Sequence, residues 1–527
     1  MKRKKLVPII LAATMSITTL LSGCASKTAD TASKTTDSAS ETGIGDMHTT
    51  GLPIVDPGKY SFSLFADDSS STGKYYMFPV LEKQTGIKVN VQKFPYEIAK
   101  EKSSLALSSG DYADCIGGWT LLDTDILKYG VGTKTFIPLE DYFKKYCPNI
   151  EKILDLPGVR DTMTAPDGHI YSIPYVLGAP QVDFSPYINT KWLKKLGLQM
   201  PKTTGDLTNV LKAFKAAGLI PFSADPNNKH LNYLAGWFGM PMDDLGFTMV
   251  GDKLTFGGTT DQFKNTIKYL NGLYKQGLID QELFTQDLNQ WKAKGAQDKY
   301  GVAIAYGSGD FMPYPNGTQP DWAPLTVLSA EDGSTPNWLR NSLGVSVLKN
   351  QVVITDKAKN PAAICRWWDN LYALDNSLQT NYGPIGISIL KDGSGYRAVD
   401  TTKTLSKEDQ DKYSWPNLWI QSLPHYVPSD YKVIQDNPAY DEKANTDKAY
   451  QSALTSLPIP QYWAPLKDAS KFSDLQTSIQ NYMKQKTAEW ISGQSDIDKD
   501  WSGYKAQLDS LGLQDYIKMR LSAIKQK

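Results

Sequence analysis

Residues 60–91, YSFSLFADDSSSTGKYYMFPVLEKQTGIKVNV, decide the fold of this 527-residue chain. Apolar and polar residues alternate over residues 60–64 and again over residues 87–91, as they do along half-buried strands. Between these segments, residues 75–84 have a helical pattern that Gly86 ends. A strand, a helix and a second strand within about 30 residues predict a parallel βαβ unit, because parallel strands need a crossover connection of this kind.

The next elements carry an aromatic side chain to the end of a strand. A second helix is predicted over residues 96–107, and it stops before Gly110. The short apolar segment 114–116 then leads through two glycines to Trp119. In open α/β sheets the ligand binds beyond the carboxyl ends of the strands. Trp119 is therefore predicted to face a ligand.

Length, charge and cysteine content exclude several classes of protein. A chain of 527 residues is too long for one core and suggests two or three domains. Lys plus Arg equals Asp plus Glu, at 56 each, so a general polyanion binder such as a nucleic-acid-binding protein is not expected. Beyond Cys24, the residues Cys115, Cys147 and Cys365 form an odd trio, which predicts neither a disulfide framework nor a zinc site.

The first 24 residues predict export. A basic start at residues 2–5 precedes an apolar run over residues 6–21, and these roughly 16 residues are too few for a stable bilayer span. The ending Leu21-Ser22-Gly23-Cys24 resembles a bacterial lipobox, which implies cleavage before Cys24 and attachment of a diacylglycerol to its sulfur. The alternative is an ordinary signal peptide with a cysteine nearby by chance. The Ala-, Ser-, Thr- and Asp-rich residues that follow predict a flexible spacer, with order beginning near Tyr60.

Aromatic residues make up 11% of the chain, with 13 Trp, 29 Tyr and 16 Phe. Many of them are expected in the core, because aromatic rings carry a large apolar area. Several, however, lie beside Gly, Pro, Asn and Asp, where loops are expected. Exposed rings beside polar residues suit a ligand with apolar faces and hydroxyl edges, such as a sugar.

Several motifs resemble family 1 extracellular solute-binding proteins, the receptors of sugar importers of the ATP-binding-cassette (ABC) type. The matching stretches are LEKQTGIKV (81–89), SGD (109–111), ADCI (113–116), IPLEDY (137–142) and PDGHIYSIP (166–174). Ala113 departs from the proline that is usual in the third motif. From residue 189 onward the chain is similar to the large oligosaccharide-binding lipoproteins of that family, most specifically over residues 490–513.

The resemblance implies an α/β, two-lobed periplasmic-binding-protein-like fold, in which each lobe is a mixed sheet flanked by helices and the ligand cleft lies at the hinge. The predicted divisions are a lipoprotein signal peptide (1–23), a flexible linker (24–57), a discontinuous first lobe (58–174 plus about 345–410) and a second lobe with the C-terminal helices (175–344 plus about 411–527).

No metal ion or other cofactor is predicted. Alginate-binding relatives carry a calcium loop after the helix that begins here with a capping box between Thr203 and Asp206. In this chain residues 218–223 have no acidic ladder. Asp496, Asp498 and Asp500 do alternate, but Trp501 stands where an EF-hand needs glycine, so these acids are interpreted as the start of a helix.

Candidate ligand-binding residues combine aromatic platforms for sugar faces with polar groups for hydroxyls. In the resembled family the loop after the first strand faces the cleft, a glycine-rich turn of the second lobe presents an aromatic ring, and a late aromatic loop closes on the ligand. Phe311 is an alternative to Tyr306 in that turn. The candidates are Asp67, Asp68, Trp119, Tyr175, Asp183, Trp237, Tyr306, Asp310, Trp338, Arg340, Trp415, Trp419, Tyr462 and Trp463.

The predicted function is that of a monomeric, lipid-anchored receptor on the extracellular face of the cell membrane, as in a Gram-positive bacterium. It would bind an oligosaccharide and deliver it to the membrane permease subunits of an ABC importer, without catalysis. One alternative is a binding lipoprotein for another solute, such as a peptide. Another is a membrane-anchored glycoside hydrolase, which would need two carboxylates at a set separation; no catalytic motif stands out.

Overall fold

The computed structural model describes residues 47–525 except 69–73, 179–181, 228, 313–320, 341, 343–344, 427–432, 437–440 and 455–457. Cys24 and the predicted signal peptide lie outside the described residues. Among the residues described, no helix has both the length and the apolar character needed to cross a membrane.

The strands follow the order β1 (Tyr60–Asp67), β2 (Ile87–Phe94), β3 (Cys115–Gly117), β4 (Tyr175–Leu177), β5 (Ser185–Asn189), β6 (Ile220–Ala224), β7 (Phe247–Val250), β8 (Lys253–Phe256), β9 (Tyr300–Ala305), β10 (Trp322–Pro324), β11 (Ser346–Leu348), β12 (Val352–Ile354), β13 (Ile389–Asp392), β14 (Gly395–Ala398) and β15 (Val433–Gln435).

The α-helices are α1 (Met77–Thr85), α2 (Tyr96–Ser109), α3 (Asp123–Asp125), α4 (Glu140–Tyr146), α5 (Pro148–Leu154), α6 (Val159–Met163), α7 (Thr190–Lys195), α8 (Thr204–Ala216), α9 (Asp261–Lys275), α10 (Leu288–Ala296), α11 (Pro361–Leu371), α12 (Leu374–Tyr382), α13 (Thr401–Thr404), α14 (Lys407–Lys412), α15 (Trp415–Leu418), α16 (Glu442–Tyr450), α17 (Ala469–Ser492), α18 (Ile497–Ser510) and α19 (Leu513–Lys525). A π-helical turn spans Ile126–Gly132, and a 3₁₀ segment spans Leu231–Phe238.

The first lobe is built on the sheet β12-β3-β1-β2. Strands β1, β2 and β3 are parallel, and β12 joins β3 antiparallel. The predicted βαβ unit is confirmed. Helix α1 ends at Gly86, which has a left-handed φ of 75°. A side chain there would place its Cβ 1.9 Å from the carbonyl oxygen of Val55, so only glycine allows this close approach.

The second lobe is built on the sheet β10-β5-β9-β6, in which β6 and β9 are parallel and β5 is antiparallel to both β9 and β10. The predicted capping box at the start of α8 is present, since Thr203 Oγ1 accepts from Asp206 N at 3.0 Å. Asp496 caps α18, as the sequence predicts for that acidic cluster. Both lobes are therefore mixed α/β layers, which confirms the predicted fold class.

Two boundaries of the first lobe differ from the predicted ones, as its buried residues show. Ile54 and Val55, in the predicted linker, are buried in the first-lobe core, and their N–H groups donate to Thr85 O at 2.8 and 3.1 Å. Trp419 and Leu423, in the segment predicted for the second lobe, pack into the same first-lobe core. The second segment of the first lobe therefore extends beyond residue 410, where its end was predicted.

The two lobes are joined by the short antiparallel pair β4 and β11, in which Tyr175 lies opposite Leu348. Strand β4 leaves the first lobe and β11 returns to it. The backbone around this pair is the hinge of the molecule.

Candidate functional site

A cleft of about 1760 Å³ lies between the two sheets. It is lined by the ends of β1 and β3, the hinge strands, the loops of the second-lobe sheet and the segment before α17. Pockets for drug-sized ligands measure roughly 300–1,000 Å³. The cleft therefore has room for a ligand of several sugar-sized units.

Exposed aromatic rings line the first-lobe side. Trp119 is 43% exposed and Trp415 is 38% exposed, although tryptophan is usually buried. Gly118 lies just before Trp119 with a φ of 94°, and a Cβ at this position would lie 1.7 Å from Asp67 Oδ1. The glycine that the sequence places after β3 therefore lets the chain turn tightly past Asp67 and present the indole ring.

Asp67 lies behind Trp119 and holds its backbone. Trp119 N donates to both carboxylate oxygens of Asp67 at 3.3 Å. Burial raises the pKa of Asp67 to about 6, against hydrogen bonds that favour the ionised form. Asp68 accepts from Tyr75 Oη and lies 3.4 Å from Lys93 Nζ. Both carboxylates border the cleft, as predicted, and both already have protein partners.

A partly buried cation, Lys443, organises the second-lobe side. Lys443 Nζ lies 3.5 Å from the ring centroid of Tyr306 and donates to the carbonyl oxygen of Asp183 at 2.6 Å. Burial lowers the pKa of Lys443 to about 8, while the nearby carboxylates of Asp183 and Glu442 act in the opposite direction. Tyr306 is thereby fixed as a cation-backed ring beside the cleft.

Two carboxylates hold the loop that follows β9. Asp310 accepts from Tyr306 N at 3.0 Å and from Gly307 N at 3.3 Å. Glu442 accepts from Ser308 N at 3.0 Å, and burial raises the pKa of this glutamate to about 6. Burial also raises the pKa of Asp310. The N–H groups of Tyr306, Gly307 and Ser308 in the predicted glycine-rich turn are therefore already used.

A third network joins the hinge to Asp123 of the first lobe and to the segment before α17. Lys349, directly after β11, donates to Asp123 Oδ2 at 2.7 Å and to the carbonyl oxygen of Tyr462 at 2.6 Å. Asn350 donates to the other oxygen of Asp123 at 2.7 Å. Because these groups come from the first lobe, the hinge and the segment before α17, they fix the relative placement of all three.

Eleven of the predicted site residues border the cleft, which brings them together from seven separate stretches of chain; their contact with a ligand stays a prediction. They are Asp67, Asp68, Trp119, Tyr175, Asp183, Tyr306, Asp310, Arg340, Trp415, Trp419 and Tyr462.

The predicted place of Trp237 and Trp338 at the cleft is corrected by the structure. Both residues lie in the second-lobe core, and neither lines the cleft. Trp338 packs edge-on against Tyr450 with ring centroids 4.9 Å apart. The glycine beside Trp237 serves packing, since a Cβ at Gly236 would lie 2.3 Å from Asn337 O. Glycine next to tryptophan, which in the sequence suggested an exposed loop, here marks a close contact between two backbone segments.

Three further rings are buried as well. Trp419 borders the cleft, but the residue is fully buried and its ring stacks on Phe78 at 4.9 Å. Trp463 donates from Nε1 to the carbonyl oxygen of Thr162 at 3.0 Å. Phe311, the alternative to Tyr306, packs 4.9 Å from Trp322. These three rings are packed against protein in the structure, unlike the exposed rings of Trp119 and Trp415.

Sequence reasoning missed several polar residues of the second-lobe side. His230, Asp244 and Arg520 all border the cleft, although none belongs to a recognisable motif. Arg520 comes from the last helix and donates from Nη2 to Asp243 at 2.7 Å. The sequence DDLG at residues 243–246 could have marked this loop, because Asp and Gly are typical of turns.

The described lining residues include nine aspartates against five lysines and arginines. The cleft is therefore acidic, which favours neutral or cationic ligands over anionic ones. Among the described residues, no group of three or more His, Cys, Asp or Glu side chains is arranged to hold a metal ion.

A family model for bacterial extracellular solute-binding proteins matches residues 66–376 of the chain. The fructooligosaccharide ABC transporter substrate-binding protein FusA of Streptococcus pneumoniae is 32% identical over 489 residues, which cover 85% of each chain. The lipoprotein LipO of Bacillus subtilis is 27% identical over 58% of this chain and 57% of its own.

Solved structures of solute-binding proteins have a similar fold. An EF-hand mutant of FusA of S. pneumoniae in complex with fructo-nystose superposes with a TM-score of 0.75 at 29% identity, over 88% of this chain and 99% of that one. An HMO-binding solute-binding protein of Bifidobacterium longum infantis has a TM-score of 0.69 at 23% identity, over 89% and 99% of the two chains, and this match supports the fold alone.

Proposed function

We propose that this chain, which belongs to the family of bacterial extracellular solute-binding proteins, is a lipid-anchored receptor that binds an oligosaccharide and delivers it to an ABC-type importer. The observation that carries the proposal is the cleft itself: exposed indole rings line one side, and polar groups held by buried charges line the other. Sugar rings present C–H faces that stack on indoles and hydroxyl edges that bond to polar groups.

The charge of the cleft narrows the ligand class to uncharged oligosaccharides. A uronate would bring its carboxylate beside lining residues that carry more negative than positive charges, and the repulsion would cost affinity. FusA, which has been solved in complex with kestose, supports a short neutral fructooligosaccharide as the first candidate. The polygalacturonan/rhamnogalacturonan-binding protein YtcQ of Bacillus subtilis, at 24% identity, is a less suitable guide to the ligand.

Binding would close the cleft about the hinge. Strands β4 and β11 are short, so a small change in their backbone angles moves one lobe relative to the other. A ligand that contacts the aromatic side and the polar side together stabilises the closed state, because only that state offers both sets of contacts. The permease of the importer would then recognise the closed form.

Anchoring through Cys24 completes the proposal and rests on the sequence of the N-terminus. A lipid and a spacer keep the receptor near its membrane partner and so raise its local concentration there. Replacing Cys24 by serine should release the protein into the medium of a bacterial culture and abolish labelling with radioactive palmitate. Retention of both lipid label and membrane association in this variant would contradict the anchor.

A thermal-shift panel tests the ligand class. Mature protein would be heated with kestose, nystose, maltotriose, trigalacturonate and a tripeptide mixture, each at millimolar concentration. We expect one neutral oligosaccharide to raise the midpoint, since a ligand at 100 times its Kd stabilises the folded state by about 2.7 kcal/mol. Stabilisation by trigalacturonate or by peptides alone would overturn the proposal. Release of reducing sugar during incubation would instead support a glycoside hydrolase.

A further inference from the structure

The second-lobe side of the cleft contains a turn that is held by Asp243 and presents the carboxylate of Asp244. Asp243 Oδ1 accepts from the backbone N–H groups of Leu245 and Phe247 at 3.0 and 2.8 Å. Its other oxygen accepts from Arg520 Nη2 at 2.7 Å. Asp243 is therefore fully used in holding the turn, and the adjacent Asp244 is the residue that the turn projects.

Asp244 is oriented by a buried histidine. Its side chain is 45% exposed, borders the cleft, and receives a hydrogen bond at 2.7 Å between Oδ1 and His230 Nδ1. Because an ionised carboxylate only accepts hydrogen bonds, Nδ1 carries the proton. Within the described part of the chain, Oδ2 of Asp244 bonds to no other side chain or N–H group, so it is available as an acceptor.

His230 itself is held in an unusual way. It is 1% exposed and stacks on Phe184 with ring centroids 3.5 Å apart and planes inclined by 13°. Its Nε2 is buried and has no hydrogen-bond partner among the described atoms. The ring is therefore held in place by its stacking on Phe184 and by the hydrogen bond from Nδ1 to Asp244.

The backbone at His230 is also strained. Lys229 and His230 are consecutive non-glycine residues with left-handed φ angles of 62° and 47°. A side chain with a Cβ is disfavoured in this region, because the Cβ approaches the following carbonyl oxygen. Strain of this kind is retained where the fold uses it to place a functional group. Here it turns the imidazole onto Phe184 and toward Asp244.

We propose that Asp244, positioned by His230, is a specificity-determining contact that accepts hydrogen bonds from ligand hydroxyls on the second-lobe side. Phe184, which lies 5.9 Å from Tyr306 between ring centroids, supplies an apolar surface next to this carboxylate. The inference rests on the proposed function, because the hydroxyls belong to the oligosaccharide. It assigns a role to a pair of residues that no motif marks.

The test measures affinity by titration calorimetry, using whichever of kestose, nystose or maltotriose most stabilises the wild-type protein. Asp244→Asn keeps the shape of the side chain and removes its charge, and should weaken binding about 10- to 100-fold, the range for a hydrogen bond to a charged group. Asp252→Asn changes an exposed residue of the β7–β8 turn by the same charge and should bind like the wild type. Equal affinity of Asp244→Asn and Asp252→Asn would overturn the inference.

Two substitutions of His230 separate positioning from packing. His230→Asn keeps a donor at the place of Nδ1 and suits a left-handed backbone, so affinity should stay within about threefold of the wild type. His230→Phe keeps the stacking on Phe184 but removes the donor, and should weaken binding about tenfold. Thermal unfolding of each variant confirms that it is folded before binding is measured.

A double-mutant cycle provides a readout that a merely structural role would not change. In the Asp244→Ala background, His230→Phe should cost no further affinity, because its effect passes through the carboxylate. An equal loss in both backgrounds would overturn the positioning role. If no oligosaccharide binds the wild-type protein, the proposed function fails and this inference falls with it. If the wild type binds and Asp244→Asn binds equally well, only this inference fails.

Discussion

The two sides of the cleft are built on opposite physical principles. The first-lobe side presents large apolar rings to solvent, with Trp119 and Trp415 each more than a third exposed. The second-lobe side presents polar groups, and two cations hold them: Lys443, which lies against the ring of Tyr306, and Arg520, which is 2% exposed. Covering the first-lobe side with a ligand is therefore favourable, because it removes apolar surface from water. On the second-lobe side the polar groups are already held in place when the protein folds, so binding does not have to order them.

This difference divides the work of recognition. Aromatic stacking depends weakly on direction and provides affinity for many sugars, whereas a fixed carboxylate accepts a hydrogen bond only from a hydroxyl in the right position. We therefore expect substitutions on the first-lobe side to change affinity with little effect on stability. Substitutions of the buried charges on the second-lobe side should change stability first.

The largest expected effect is on the buried charge of the second-lobe side. Arg520→Met removes the partner of Asp243, and the free energy of unfolding should fall by about 3 kcal/mol because one member of a buried ion pair is left alone. Urea denaturation measures this change. Arg397→Met, which removes an exposed arginine paired with Asp392, is the matched control and should unfold like the wild type. Equal losses in both variants would contradict the distinction between buried and exposed charges.

The next largest effect is on the aromatic side. Trp119→Ala should weaken sugar binding about 30- to 100-fold, corresponding to roughly 2–3 kcal/mol of lost aromatic burial, and should leave the unfolding midpoint almost unchanged. Trp237→Phe is the opposite case, because that ring is fully buried in the core: stability should fall while affinity is kept. Calorimetric titration and thermal unfolding of both variants check the pair. Loss of stability without loss of affinity in Trp119→Ala would show that this ring is structural.

A smaller effect concerns pH and the carboxylate behind Trp119. The pKa of Asp67 is about 6 in the folded protein, above its ordinary value of 3.8, because the group is buried. The folded state thus binds more protons than the unfolded state between these values. The stabilisation from the protonated form is complete below about pH 4 and is lost as pH rises through about 6. Asp67→Asn should remove this loss.

The measurement compares urea unfolding of wild type and Asp67→Asn at pH 4, 5, 6 and 7.5. The variant should gain about 1–3 kcal/mol relative to the wild type between pH 4 and 7.5. Glu442, whose pKa is also about 6, titrates over the same range in both proteins, so the difference isolates Asp67. A constant difference across this pH range would show that the carboxylate does not change its protonation state on folding.

The sequence predicted the elements of the fold more reliably than the side chains of the site. The parallel βαβ unit, the capping box at Thr203 and the cap at Asp496 are confirmed, because each depends on residues close together in the chain. Trp119 and Trp415 also border the cleft, since a strand end precedes the first and Pro416 and Asn417, typical loop residues, follow the second. Trp237 and Trp338 do not, because glycine and polar neighbours occur both in loops and at close contacts in a core.

What the sequence determined by itself is what local interactions decide: periodicity, helix ends, composition, and motifs that identify the family. The tertiary structure alone decided which rings are covered and which polar groups have partners. Arg520 lies 277 residues from Asp243 in the chain, and Lys349 lies 226 residues from Asp123. No local pattern encodes such pairs, because the desolvation that gives them their strength exists only once the lobes have packed.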